Sequence, residues 1–108
     1  MKLDKQLFDS VAKLAAESPR LRMNYDLRDS EDEDGQRMLN VLLPGTKSAI
    51  HRHTDTSEVV MTAGSDCPGL VVEQGRYHSL EANGELGVIM EAKAHKYHPF
   101  KTEDILDK

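Results

Sequence analysis

Apolar and polar positions divide this chain into two regimes. Over residues 4–17, Leu7, Val11 and Leu14, preceded by Leu3, recur three and four residues apart, and Phe8 and Ala15 widen the stripe. That period predicts an amphipathic helix. Asp4 is suited to its N-cap, and Ser18-Pro19 stops it because the residue before a proline avoids the α region. The apolar stripe is expected to pack on a sheet or on a second subunit.

From Leu21 the period falls to two. Leu21, Met23, Tyr25 and Leu27 alternate with polar residues and predict a strand. An acidic loop follows, Asp29 to Gly35. Its Asp32-x-Asp34-Gly35 has the look of a calcium loop, but Ser30 falls at the first ligand position and Val41 at the twelfth, so a solvated loop is the better reading. Further strands are expected at 37–43, 47–53, 58–62, 70–73, 77–82 and 86–93. They are separated by Pro44-Gly45-Thr46, the segment 63–69, Gln74-Gly75 and Asn83-Gly84. Many short strands between Gly/Pro turns indicate an all-β barrel or sandwich. The tail 94–108 is polar apart from Ile105-Leu106, and no internal repeat is present.

Composition narrows the function classes. At 108 residues the chain is one domain, which buries about 65% of its unfolded surface. Trp is absent and only five residues are aromatic, so the core is expected to be aliphatic and lean. A formal net charge of −5 argues against nucleic acid and against an anionic membrane surface as partners. No apolar run approaches a membrane span, and the N-terminus lacks a signal-peptide core. A lone cysteine, Cys67, pairs with nothing internally; a reducing, cytoplasmic setting is expected.

The chemistry concentrates in His51-Arg52-His53-Thr54-Asp55-Thr56-Ser57-Glu58 and in Gln74-Gly75-Arg76-Tyr77-His78. On an extended strand, His51 and His53 share a face. Glu58 and His78 would join them from neighbouring strands. Three neutral imidazoles and one carboxylate suit a divalent transition metal such as Zn, Fe, Mn or Ni, and leave positions open on a six-coordinate ion. The competing reading is two exposed strand histidines and a surface carboxylate. Alternation would turn Ala49, Val60, Thr62, Leu80 and Ala82 inward as small apolar walls, with Lys47 at the entrance and few groups to orient a ligand. Arg37 and Arg76 are weaker candidates for binding an anionic substrate. Tyr77 should point away from His78. A second metal at His95-Lys96-Tyr97-His98 and a nucleophilic Cys67 are both less favoured than solvated positions. No catalytic residue is identifiable, and no Ser-His-Asp set or phosphate-cradling loop is present.

His51-x-His53-x4-Glu58 resembles the first motif of the cupin superfamily, and Gly75-x2-His78 the core of the second. More narrowly, the chain resembles the WbuC-type cupin metalloproteins. The similar stretches are Glu17 to Arg22, Gln36 to Thr46, His51 to His53 and Tyr77 to Ala82. The resemblance implies a cupin-type double-stranded β-helix (jelly-roll) barrel over 21–93, behind the N-terminal helix and within a single cupin-like domain, 1–108. It implies His51, His53, Glu58 and His78 as metal ligands. It also implies a small polar or carbohydrate-like ligand, with a link to surface-polysaccharide or sugar metabolism. Isomerase or oxygenase activity, and a non-catalytic module with a structural metal, are both compatible with it. Only 19 residues separate Glu58 from His78, one hairpin fewer than the family pattern. Either the barrel is shortened or a segment is absent, and strand edges left open would be covered in a homodimer.

Overall fold

A computed structural model describes residues 1–62, 69–82, 84–95 and 99–106. The helix forms as predicted: α1 runs Lys5–Glu17, and the Asp4 carboxylate accepts the Leu7 N–H at 3.1 Å. Its buried face differs slightly from the predicted stripe. Val11 and Ala15 are buried and Leu7, Phe8 and Ala12 partly so, whereas Leu3 and Leu14 are exposed. A face centred on Val11 suffices because the partner surface is only two strands wide at that point.

The partner is an antiparallel sheet of β1 (Arg22–Asp26), β2 (Gln36–Leu42), β5 (Gly87–Lys93), β3 (Glu58–Thr62) and β4 (Gly69–Val72), in that spatial order. Strand β2 shows how one sheet serves two purposes. Leu39 and Val41 face α1 and join Met23, Tyr25, Leu27 and Val88 in an aliphatic core. Gln36, Met38, Asn40 and Leu42 point to the opposite face and line a cavity. Beyond them Leu42, Val60, Val72, Ala82 and Ile89 form a second apolar cluster. Arg28 closes the acidic loop after β1, its guanidinium reaching the Asp26 carboxylate and the Glu33 carbonyl, each at 2.8 Å.

The two long connections, β2 to β3 and β4 to β5, lie across the inner face and pair with each other. Neither 47–53 nor 77–82 is a regular strand, contrary to expectation. Among the described residues their ladder is reduced to isolated antiparallel bridges, Lys47 with Glu81 and His51 with His78, and to single backbone bonds such as Ala82 N–H to the Thr46 carbonyl. The cause is a one-residue slip. Ser48 N–H bonds the Leu80 carbonyl and His51 N–H bonds the His78 carbonyl, so three residues on one side span two on the other. That is a β-bulge, and the Ser48 hydroxyl repairs the ladder by accepting the Leu80 N–H at 2.8 Å.

The tail also departs from expectation. Residues 104–106 add to the His51 segment. Arg52 N–H bonds the Asp104 carbonyl, Leu106 N–H bonds the Ile50 carbonyl, and the largely buried Asp104 carboxylate pairs with the Arg52 guanidinium at 3.1 Å. The Asn83 turn position, Cys67 and His98 lie outside the described residues. Among the described residues no helix is long and apolar enough to cross a membrane.

Leu39 is 2% exposed at the meeting of α1 and β2. Leu39→Ala is therefore expected to destabilise the protein by about 2–5 kcal/mol. Denaturant unfolding checks this; a loss below about 1 kcal/mol would mean that the helix does not pack on β2.

Candidate metal centre

The bulged pairing determines which side chains meet. His51 and His78 lie opposite each other, and their ring centroids are 4.4 Å apart. His53 follows two residues later, with its ring 5.2 Å from each of the others. One nitrogen from each of the three histidines can be chosen so that all lie within 4.8 Å of one another. Glu58, at the start of β3, comes up beside this trio. Its Oε1 is 3.0 Å from His78 Nε2, and its Oε2 is 3.7 Å from His53 Nε2. All four residues line the cavity, which has a volume of about 480 Å³.

Hydrogen bonds orient the rings. A backbone carbonyl can only accept, so His51 Nδ1–H donates to the Ala49 carbonyl at 2.7 Å, and His78 Nδ1–H donates to the Arg76 carbonyl at 2.9 Å. Both contacts leave Nε2 turned inward, as outer partners do for metal-ligating imidazoles. Phe100 covers the cluster from the tail, its ring 4.4 Å from that of His51 and 5.5 Å from that of His53.

The charge states follow from this packing. Burial holds His51 below the usual imidazole range. Burial, with the Lys93 charge adding to it, pushes His53 down to about 4. Burial also disfavours charged His78, but its bonds to Glu58 and to the Arg76 carbonyl outweigh that and raise it. Burial works against ionised Glu58, yet the His78 bond and the neighbouring positive charges bring it below the ordinary carboxylate range. Two neutral imidazoles and an ionised carboxylate are the protonation states that a metal requires. Glu58 Oε2 is buried with no hydrogen-bond partner. Leaving such an atom unmade costs about 1–3 kcal/mol or more, so a cation there is a good fit.

The cavity walls are more polar than alternation predicted. Val60 and Ala82 belong to the apolar cluster at its back. Arg20, Arg22, Asn24, Gln36, Asn40, Glu91 and Lys93 supply polar lining beside Met38, Leu42 and Leu80, with Ser48 and Ala49 both present because of the bulge. The sequence reading assigned these polar residues no role in the site, although Arg20, Arg22, Gln36 and Asn40 fall in stretches that carry the family resemblance; apart from Arg20, which precedes β1, their local signal was the polar phase of β1, β2 and β5. Arg37 lies on the other face of β2, where it pairs with Glu33, and Arg76 is exposed; neither lines the cavity. Tyr77 points away from the cluster as expected, with the Arg52 guanidinium over its ring and its hydroxyl on the Glu103 carbonyl. His95 is exposed and bonds Asp34 at 2.9 Å.

Comparison with known proteins supports the fold and leaves the activity open. The family described as "Domain of unknown function (DUF6016)" matches residues 3–65. No curated protein matches the chain. Among solved structures the chain is similar to the polyketide cyclase RemF from Streptomyces resistomycificus, at 11% identity and a TM-score of 0.56, covering 77% of this chain and 74% of that one. It also matches a Cupin_2 domain of an XRE family transcriptional regulator from Enterobacter cloacae, at 11% identity, TM-score 0.45 and coverages of 70% and 98%. A third match is a sugar phosphate isomerase from a cupin superfamily from Silicibacter pomeroyi DSS-3, at 22%, 0.35, 67% and 55%. At such identities the first likeness speaks for fold alone. The fold is mainly β, with one N-terminal helix, and is similar to that of the polyketide cyclase.

A pH dependence follows for chelator-treated protein. His53 titrates near 4 when folded against an ordinary value near 6.5, so the unfolded chain binds its proton more readily in between. Stability is expected to fall as pH drops from about 6.5 towards 4. His78 has the opposite sign: its raised value contributes stability that is complete below about 6.5 and lost as pH rises through its folded value. Melting temperature against pH, compared between wild type and His53→Ala, tests this. An unchanged acid slope in the variant would refute the assignment.

Proposed function

We propose that this chain, which belongs to the DUF6016 family, is a metal-binding cupin-type protein that binds or acts on a small polar or carbohydrate-like molecule. The observation that carries this reading is the convergence of three histidines beside the buried Glu58 Oε2, which has no hydrogen-bond partner. His51, His53, His78 and Glu58 would hold a divalent transition metal of the Zn, Fe, Mn or Ni kind. Bound there, the metal supplies a Lewis acid that polarises an oxygen of the ligand. The chain's own residues do the rest. Phe100 shields the imidazoles from water. Glu91, raised first by burial and then by the Glu58 charge, is held by the Asn40 amide at 2.8 Å and is the cavity's candidate for carrying a proton.

The WbuC-type resemblance extends this reading to surface-polysaccharide or sugar metabolism, and the single cysteine supports a cytoplasmic setting. About one equivalent of transition metal per chain is expected in protein purified without chelator or histidine tag. His51→Ala and His78→Ala should each lose most of it, and His95→Ala should not. Equal loss in all three, by elemental analysis, would refute the ligand set.

A second reading is a non-catalytic module that works as a homodimer around a structural metal. It draws on the outer face of β3 and β4, where Val59, Met61 and Val71 are 43%, 42% and 62% exposed and α1 does not reach. Sedimentation at micromolar concentration should then give a dimer, with Val71→Glu shifting it to monomer. A wild-type monomer, or a melting temperature barely changed by chelation, would count against this reading.

A further inference from the structure

The cavity lining holds several polar groups, some of them buried. Most are satisfied within the chain: Asn40 and Glu91 bond each other, and Ser48 repairs the bulge. A row of three differs. The strand register puts Gln36 of β2 opposite Lys93 of β5, and Lys93 opposite Glu58 of β3. All three line the cavity. Gln36 is 5% exposed and Glu58 4%, and Gln36 Oε1 and Glu58 Oε2 are the two buried side-chain atoms without a hydrogen-bond partner among the described residues. Whichever way the Gln36 amide is turned, one of its polar atoms is short of a partner, because the other end has only a weak contact with Met38 Sδ at 3.9 Å. Half-buried Lys93 makes no hydrogen bond or ion pair with its ammonium among the described residues.

We propose that the row Gln36–Lys93–Glu58 is a recognition site for a small anion with a hydroxyl next to its charged group, a ligand of the 2-hydroxy carboxylate type. This rests on the reading of the cavity as a ligand site beside a metal centre. Neighbouring positions on paired strands stand about 5 Å apart. That is the span over which one small molecule offers a carboxylate to Lys93 and the adjacent hydroxyl to Gln36 Oε1. Glu58, third in the row, would place a bound metal at the same end of the cavity. A neutral ligand would leave the Lys93 ammonium, which faces Glu58 and Glu91 across the cavity, without a hydrogen-bonded partner, and a plain carboxylate would leave Gln36 Oε1 unmade. Either defect weakens binding, which makes the row selective for the combination.

Calorimetric titration of the full chain, metal-loaded and metal-free, with D-gluconate, hexanoate and sorbitol tests the proposal. Hexanoate lacks the hydroxyls and sorbitol lacks the charge. D-gluconate is expected to bind at least about tenfold tighter than either. Lys93→Met should bring D-gluconate to the level of sorbitol, with Lys93→Arg restoring part of the difference. Gln36→Leu should bring D-gluconate to the level of hexanoate, and Arg37→Ala, on the opposite face, should change nothing. Equal binding of the three probes by wild-type protein, or wild-type affinity in both Lys93→Met and Gln36→Leu, would overturn the proposal and assign Gln36 Oε1 to water. Where a variant fails to fold, the wild-type ranking of the probes decides alone. A preference for D-gluconate in protein that takes up no metal would refute the metal reading while leaving the row intact. Metal uptake without any preference would do the reverse.

Discussion

The reciprocal pair of backbone hydrogen bonds between His51 and His78, at 2.8 and 2.9 Å, is the contact on which this molecule turns. It joins two connections that would otherwise be surface loops, and it holds them over the inner face of the sheet. Each bond contributes only about 1 kcal/mol net. Its structural leverage is larger than its energy, because it decides that imidazoles 27 positions apart in sequence share one cavity. The bulge beside it matters equally. Without the extra residue between Ser48 and His51, alternation would carry the His51 ring to the other face of the ribbon.

The sheet resolves a conflict between stability and chemistry by separating its two faces. The α1 side is dry and aliphatic, with Val11, Leu39 and Val41 almost fully buried. The inner side buries Gln36, Asn40, His51 and Glu58, groups whose removal from water is costly unless each is paired. Pairing is incomplete there in just the places where a ligand would complete it. His51 and His53 are kept neutral by burial, Glu58 is kept ionised by its neighbours, and Lys93 brings a positive charge into the same space.

The tail completes this design. Residues 104–106 bond to the connection that carries His51 and His53, and Phe100 lies over their rings. A segment that looked like a polar extension is thus part of the wall. Its polarity conceals its role because the contacts are made by backbone amides and by the buried Asp104–Arg52 pair rather than by an apolar stripe.

The sequence by itself determined what short-range physics controls. The helix over 4–17 follows from its period and from the Asp4 cap, the strands β1, β2, β3, β4 and β5 from alternation between turn residues, and the candidate ligands His51, His53, Glu58 and His78 from their types and offsets. Their convergence on one cavity belongs to the tertiary structure, as do the polar walls contributed by β1, β2 and β5. Alternation over 47–53 and 77–82 predicted regular strands, and it could not reveal the slip at Ala49 and Ile50, because register is a property of two segments and a sequence pattern describes one. Arg37 and Gln36 illustrate the limit most directly. They are adjacent in the chain, and Arg37 carries the charge that looks like a binding group. The pleat of β2 turns Arg37 to the helix side and Gln36 into the cavity; which phase faces inward depends on where α1 packs, a long-range contact that no local pattern encodes.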